Sequence, residues 1–135
     1  MKYEILEHKA DLKIRAFGKT KEELFLNMLL GMQESMKAKL QKPEEKIKRK
    51  IKIKSPDLPA LLVDYLSEAL YLSQVNKEVY FDVNFKKFTA TEIEGELIGQ
   101  KVERFGEDVK AVTYHSLDIH QGKDGAWQVI VLFDI

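Results

Sequence analysis

Lys110-Ala111-Val112-Thr113-Tyr114-His115 and, beyond a short turn, Trp127-Gln128-Val129-Ile130-Val131-Leu132-Phe133-Asp134-Ile135 decide how this chain reads. Both runs are rich in β-branched and aromatic residues, the composition of strands. Gly122-Lys123-Asp124-Gly125 supplies a turn between them, so strands over 109–120 and 126–134 are expected to close the protein as a hairpin. Side chains alternate along a strand. Lys110, Val112 and Tyr114 therefore fall on one face, and Ala111, Thr113 and His115 on the other. On the last strand, Asp134 ends the face that carries Gln128, Ile130 and Leu132. Its carboxylate stands one residue from the terminal carboxylate of Ile135.

Upstream, Val79, Phe81, Val83 and Phe85 alternate with polar residues, as do Ile93, Gly95 and Leu97 with Glu92, Glu94 and Glu96. This predicts an antiparallel pair turning near 87–90. Gly99 to Asp108 reads as a polar loop; it is no phosphate loop, because no Gly-Lys-Ser/Thr follows. Residues 3–8 and 12–18 read as two further short strands. Thr20 and Glu23 form a capping box. Leu24, Phe25, Met28, Leu29, Met32 and Met36 then recur at helical spacing, predicting a helix over 21–38 that ends before Gln41-Lys42-Pro43. A second helix is expected from Ser55-Pro56 to about residue 75, with Leu58, Leu61, Leu62, Tyr65, Leu66, Ala69 and Leu70 as its buried stripe. Two helices among six or seven strands indicate an α+β domain, the helices packed on one face of a mostly antiparallel sheet.

The 135 residues fit one domain, 1–135, able to enclose a single core. With no cysteine there is no disulfide framework and no thiolate metal site. No apolar run reaches the length that spans a membrane, and the start is not a signal peptide, so a cytoplasmic protein is expected. The formal net charge of zero hides a split: residues 1–54 carry 15 Lys/Arg against 8 Asp/Glu, and residues 55–135 carry 7 against 14. Such a split suits a charged partner or a cation, unless folding mixes the two halves.

A carboxylate on an apolar face is costly unless paired or bound to a cation. Asp134 and the carboxyl terminus of Ile135 force two negative charges together, which repel until something positive joins them. Asp11, at the first turn, is a third oxygen source. All-oxygen ligation suits a hard ion, Ca²⁺ or Mg²⁺, whereas His8 would add nitrogen and turn the site toward Zn²⁺ or Mn²⁺. The plain alternative is a solvated chain end. His115 reads as an inward, hydrogen-bonded core histidine in preference to a ligand. Asp64 and Glu68, four apart on the second helix, read as solvated surface or as part of a polar site. Lys46, Lys48, Lys50, Lys52 and Lys54 line one face of a strand whose other face carries Ile47, Ile51 and Ile53. Lysines on an edge strand guard against aggregation; the functional alternative is a phosphate-facing stripe for RNA. No nucleophile elbow or paired-histidine zinc helix is present, and Ser116 points away from His115. An independent enzyme is therefore not expected.

Glu7-His8-Lys9-Ala10-Asp11, Leu61-Leu62-Val63-Asp64-Tyr65-Leu66-Ser67-Glu68, Lys110-Ala111-Val112-Thr113-Tyr114-His115 and Val131-Leu132-Phe133-Asp134-Ile135 together resemble the archease family, in the right order and over nearly the whole chain. Lys9 departs from the usual threonine and Lys13 from a smaller residue, placing positive charge beside Asp11. The resemblance implies an accessory protein, not an enzyme. It would activate the GTP- and metal-dependent RtcB-type RNA ligase of tRNA splicing or RNA repair, promoting guanylylation and turnover. It also implies Asp11, Asp134 and the carboxyl terminus of Ile135 as the site of a divalent metal (Ca first, with Mg, Mn or Zn as alternatives), with His8 and Lys110 beside it. Contact with tRNA would then be indirect, and neither DNA nor membrane is implied. The other reading is a chaperone-like or RNA-binding modulator of a tRNA-modifying enzyme, working through Lys46–Lys54.

Overall fold

The computed structural model describes residues 1–7, 11–40, 46–115 and 117–135. Among them the chain runs β1 (Tyr3–Glu7), β2 (Asp11–Gly18), α1 (Lys21–Ser35), β3 (Ala38–Leu40), β4 (Ile47–Lys54), α2 (Leu58–Asn76), β5 (Glu78–Phe88), β6 (Glu92–Phe105), β7 (Ala111–Val112), β8 (His120–Gln121) and β9 (Trp127–Asp134). The α+β class stands, with two helices and antiparallel pairing in every ladder. The strands form two sheets. One has the order β1-β2-β9-β7, with β8 also on β9; in the other, β6 is flanked by β3, β4 and β5.

The helix α1 forms as its capping box predicts: the Glu23 N–H donates to Thr20 Oγ1 at 3.1 Å, and the Glu23 carboxylate accepts from the Lys19 N–H at 3.1 Å. Leu24, Phe25, Met28, Leu29 and Met32 are fully buried, and α1 packs on both β2 and β5. One helix thus gives the two sheets a shared core. It stops at Ser35, short of residue 38, because Lys37 turns the backbone to φ 51°. The freed chain adds β3, which sequence periodicity did not reveal.

The start of α2 also differs from expectation. Its cap is Asp57, whose carboxylate accepts from the Ala60 N–H at 2.9 Å, with Pro59 in the first turn. Ser55 instead donates to Asp64 Oδ2 at 2.6 Å. The stretch read as a polar loop at 99–108 is largely strand: β6 runs unbroken to Phe105. Gly99 lies within it because a Cβ there would meet the Val79 carbonyl oxygen at 1.9 Å, beside a bulge in β5. The strand expected over 109–120 breaks into β7 and β8, two residues each.

A buried polar clasp ties β4, β5 and β6 of the second sheet together. Glu78 is fully buried, and its carboxylate receives Arg49 Nε at 2.9 Å, Arg49 NH2 at 2.6 Å and the Tyr80 hydroxyl at 2.7 Å. Lys101 Nζ lies 3.6 Å away. Burial alone would raise the Glu78 pKa, but Arg49 and Tyr80 hold it below the usual carboxylate range.

Candidate metal-binding end of the first sheet

The two ends of the chain meet because β2 pairs with β9 along its whole length. The register sets Asp11 opposite Asp134, Lys13 opposite Leu132, Arg15 opposite Ile130 and Phe17 opposite Gln128. Direct cross-strand partners share a face, with Cβ atoms about 4.5–5.5 Å apart. The opposite face carries Ile14, Ala16, Val129, Val131 and Phe133, all buried. Asp11 and Asp134 therefore stand side by side on the outer face, at the end where the chain terminates. Asp134 is exposed and Asp11 half-buried. Ile135, half exposed, brings the terminal carboxylate to the same end.

Like charges directly opposite on a sheet oppose folding. Two carboxylates and a chain-end carboxylate, all hard oxygen donors, match a divalent ion of the calcium or magnesium kind. The residues present fit that ion. Among the described residues no group of three or more His, Cys, Asp or Glu side chains is placed to hold a metal ion, so the chain terminus would have to serve as the third donor. His8, the candidate nitrogen donor, lies outside the described residues, as do Lys9 and Ser116.

The segment 109–115 reaches the site differently from the parity argument. Its backbone caps the end of β9: the Lys110 N–H donates to the Asp134 carbonyl at 2.7 Å, and the Thr113 N–H to that of Leu132 at 3.0 Å. Ala111 is the register partner of Asp134. The Lys110 side chain, exposed, lines a shallow 280 Å³ cavity against α2 with Ser67, Tyr71 and Gln74. It neighbours the carboxylates through its backbone. His115 is exposed, in a turn; the inward core histidine is corrected, because β7 ends at Val112 and strand alternation ends with it.

Asp64 is half-buried and draws the segment onto α2. It accepts from Ser55 and faces Tyr114, whose pKa is raised by desolvation, by the negative charge of Asp64 and Asp57, and by a hydrogen bond to Asp64. Gln74 Nε2, further along α2, donates to the Val109 carbonyl at 2.8 Å. Sequence reasoning singled out Asp64 but missed this tie, since Tyr114 was assigned a strand face. Glu68, half-buried on the same helix, makes no ion pair among the described residues.

The lysine strand β4 is an edge strand, as expected. Its lysines face the glutamates of β6: Lys50 is the register partner of Glu96, Lys52 of Glu94 and Lys54 of Glu92. Lys52 and Lys54 reach their partners at 3.6 and 3.4 Å. From the other side Lys86 approaches Glu96 at 3.4 Å, and Lys87 bonds Glu92, which lowers the pKa of that acid. Much of the stripe is thus neutralised within the sheet. The charge split between chain halves largely disappears here on folding.

A model of the archease protein family matches residues 3–135. Protein archease of Methanosarcina barkeri is 40% identical, over 98% of this chain and 95% of its own length. The solution structure of Methanobacterium thermoautotrophicum protein 1598 superposes with a TM-score of 0.68 at 26% identity, covering 98% of each chain. A Thermotoga maritima crystal structure, titled an archease and possible chaperone, gives a TM-score of 0.68 at 20% identity, over 96% of this chain and 94% of its own. That last likeness is one of fold alone.

Proposed function

The chain belongs to the archease family, and on that premise we propose that it is an accessory protein of a GTP-dependent RtcB-type RNA ligase, raising ligase guanylylation and turnover. The observation that supports this most is the register pairing of Asp11 with Asp134 beside the chain terminus. An arrangement that opposes folding and faces outward is suited to work on a partner. Asp11, Asp134 and the carboxylate of Ile135 would hold the divalent ion, with Ca²⁺ the best match to flexible oxygen ligation and Mg²⁺, Mn²⁺ or Zn²⁺ the alternatives. When bound, the ion supplies positive charge against the phosphates of GTP. The chain's own part is to present these acids on a rigid sheet end. β7 and the Asp64–Tyr114 tie fix the edge of that end against α2.

Ligase, GTP and metal incubated with this protein should show a higher guanylylated fraction than ligase alone, and Asp134→Ala should remove at least nine-tenths of the gain. Full gain with Asp134→Ala, together with its loss on charge reversal of Lys48, Lys50 and Lys52, would instead favour the RNA-binding modulator. That alternative is weakened by the glutamates facing β4. The chaperone description belongs to the Thermotoga relative; an accessory role at the ligase is compatible with it.

A further inference from the structure

We infer that Lys13 is a built-in counter-charge of the acid end of the first sheet, and that it loosens each cation held there in proportion to that cation's charge. This rests on the metal-binding reading above and adds the residue that tunes it. The register fixes the arrangement. On the outer face Asp11 pairs with Asp134, and the next pair along that face is Lys13 with Leu132. Lys13 is thus two residues from Asp11 on its own strand and diagonal to Asp134, where Cα atoms stand about 7–8 Å apart, within reach of a long side chain. On its other side lies Leu6 of β1.

Other acids do not hold Lys13. Half-buried between Leu6 and Leu132, it makes no ion pair among the described residues. Glu4, the nearby acid of β1, is held by Arg15 at 2.5 Å. Asp118, which lines a cavity with Arg15 and Ile130, lies 3.2 Å from His120. The Lys110 side chain lines the cavity against α2 instead. Among the described residues the end therefore carries the negative charges of Asp11, Asp134 and the chain terminus against the positive charge of Lys13. The balance of −2 is what a divalent ion neutralises.

The repulsion between a fixed positive charge and a bound cation is Coulombic and scales with the charge of the ion. At about 8 Å in water-like surroundings it amounts to about fivefold in affinity for a divalent ion and about tenfold for a trivalent one, and high salt screens it. With no ion bound, the same charge offsets part of the Asp11–Asp134 repulsion. Lys13 thus acts in opposite directions, steadying the metal-free sheet and loosening the metal. Packing alone gives no such pair of effects.

The test uses the full-length protein with Ca²⁺ or La³⁺ as the only added ligand, read by titration calorimetry and thermal melting at low salt. Lys13→Gln should bind Ca²⁺ about fivefold and La³⁺ about tenfold more tightly than the parent, while its metal-free melting temperature falls by about 1–3 °C. Lys13→Arg, which keeps the charge, should match the parent in both. Lys123→Gln, in the turn at the other end of β9, is the control and should change neither. At about 1 M salt the tighter binding of Lys13→Gln should disappear. If Lys13→Gln does not fold, Lys13→Met, which keeps the apolar stem, decides by the same readings. Equal affinities for parent and neutral variant would overturn the role of Lys13 and leave the metal site standing. A gain that is the same for both ions, or that survives high salt, would also overturn it. If neither protein binds either ion, the metal site falls together with the inference.

Discussion

Asp134 and Glu78 show how opposite surroundings give carboxylates opposite duties. Asp134 faces a like charge across the strand pair, at an exposed end. Asp134→Asn should therefore raise the melting temperature in metal-free buffer, by about 1–3 °C, because a cross-strand repulsion is removed. Ca²⁺ or Mg²⁺ should raise the melting temperature of the parent and leave that of the variant unchanged. Equal metal-induced shifts in the two proteins would remove Asp134 from the site. Glu78, by contrast, is buried and fully engaged by Arg49, Tyr80 and Lys101. Its lowered pKa means that this carboxylate adds stability above the ordinary carboxylate range and loses it as pH falls below about 4. Arg49→Ala leaves a buried carboxylate bonded by the Tyr80 hydroxyl with Lys101 as its remaining nearby cation, and should cost about 3 kcal/mol at neutral pH. The gap to the parent should narrow in acid, where the parent also loses the bonded carboxylate. Denaturant unfolding at pH 7 and near pH 4 measures both values, and a gap that widens in acid would contradict the assignment.

At the scale of elements, local signals worked where a segment is self-sufficient. The capping box of α1, the apolar stripe of α2 and the turn at 122–125 were all legible, because each is a matter of neighbours in sequence. The α2 cap was misplaced by two residues, since Ser55 and Asp57 are both competent caps and only the helix register chooses. Asp57→Ala should lower stability by about 1 kcal/mol, read as a melting shift of about 4 °C; Ser55→Ala should act instead through the bond to Asp64. The 109–120 segment misled because strand-like composition was taken for a long strand. Only Ala111 and Val112 near its start and His120 at its end find partners on β9, and between them Tyr114 turns to Asp64. In β4, replacing Lys48, Lys50 and Lys52 by threonine should raise aggregation on heating, because an edge strand loses its charged guard. Light scattering through the melt would show it.

At the scale of the whole molecule, α1 is the shared wall between two sheets, and Leu29, fully buried, sits in that common core. Leu29→Ala should cost about 2–5 kcal/mol and lower the melting of both sheets together. The fluorescence of Trp127, in the first sheet, and the far-ultraviolet circular dichroism of the whole chain should then move as one transition. Separate transitions would mean that the sheets unfold as independent units. The residues themselves determined the α+β class, both helices, the turn at 122–125 and the acids worth watching, since periodicity, caps and turn residues are local properties. Tertiary structure alone decided that β2 lies against β9 in the register that sets Asp11 beside Asp134, that β6 collects three strands, and that the lysines of β4 meet the glutamates of β6. Those are pairings between distant parts of the chain, fixed by which faces are buried together, and no window of sequence contains both partners.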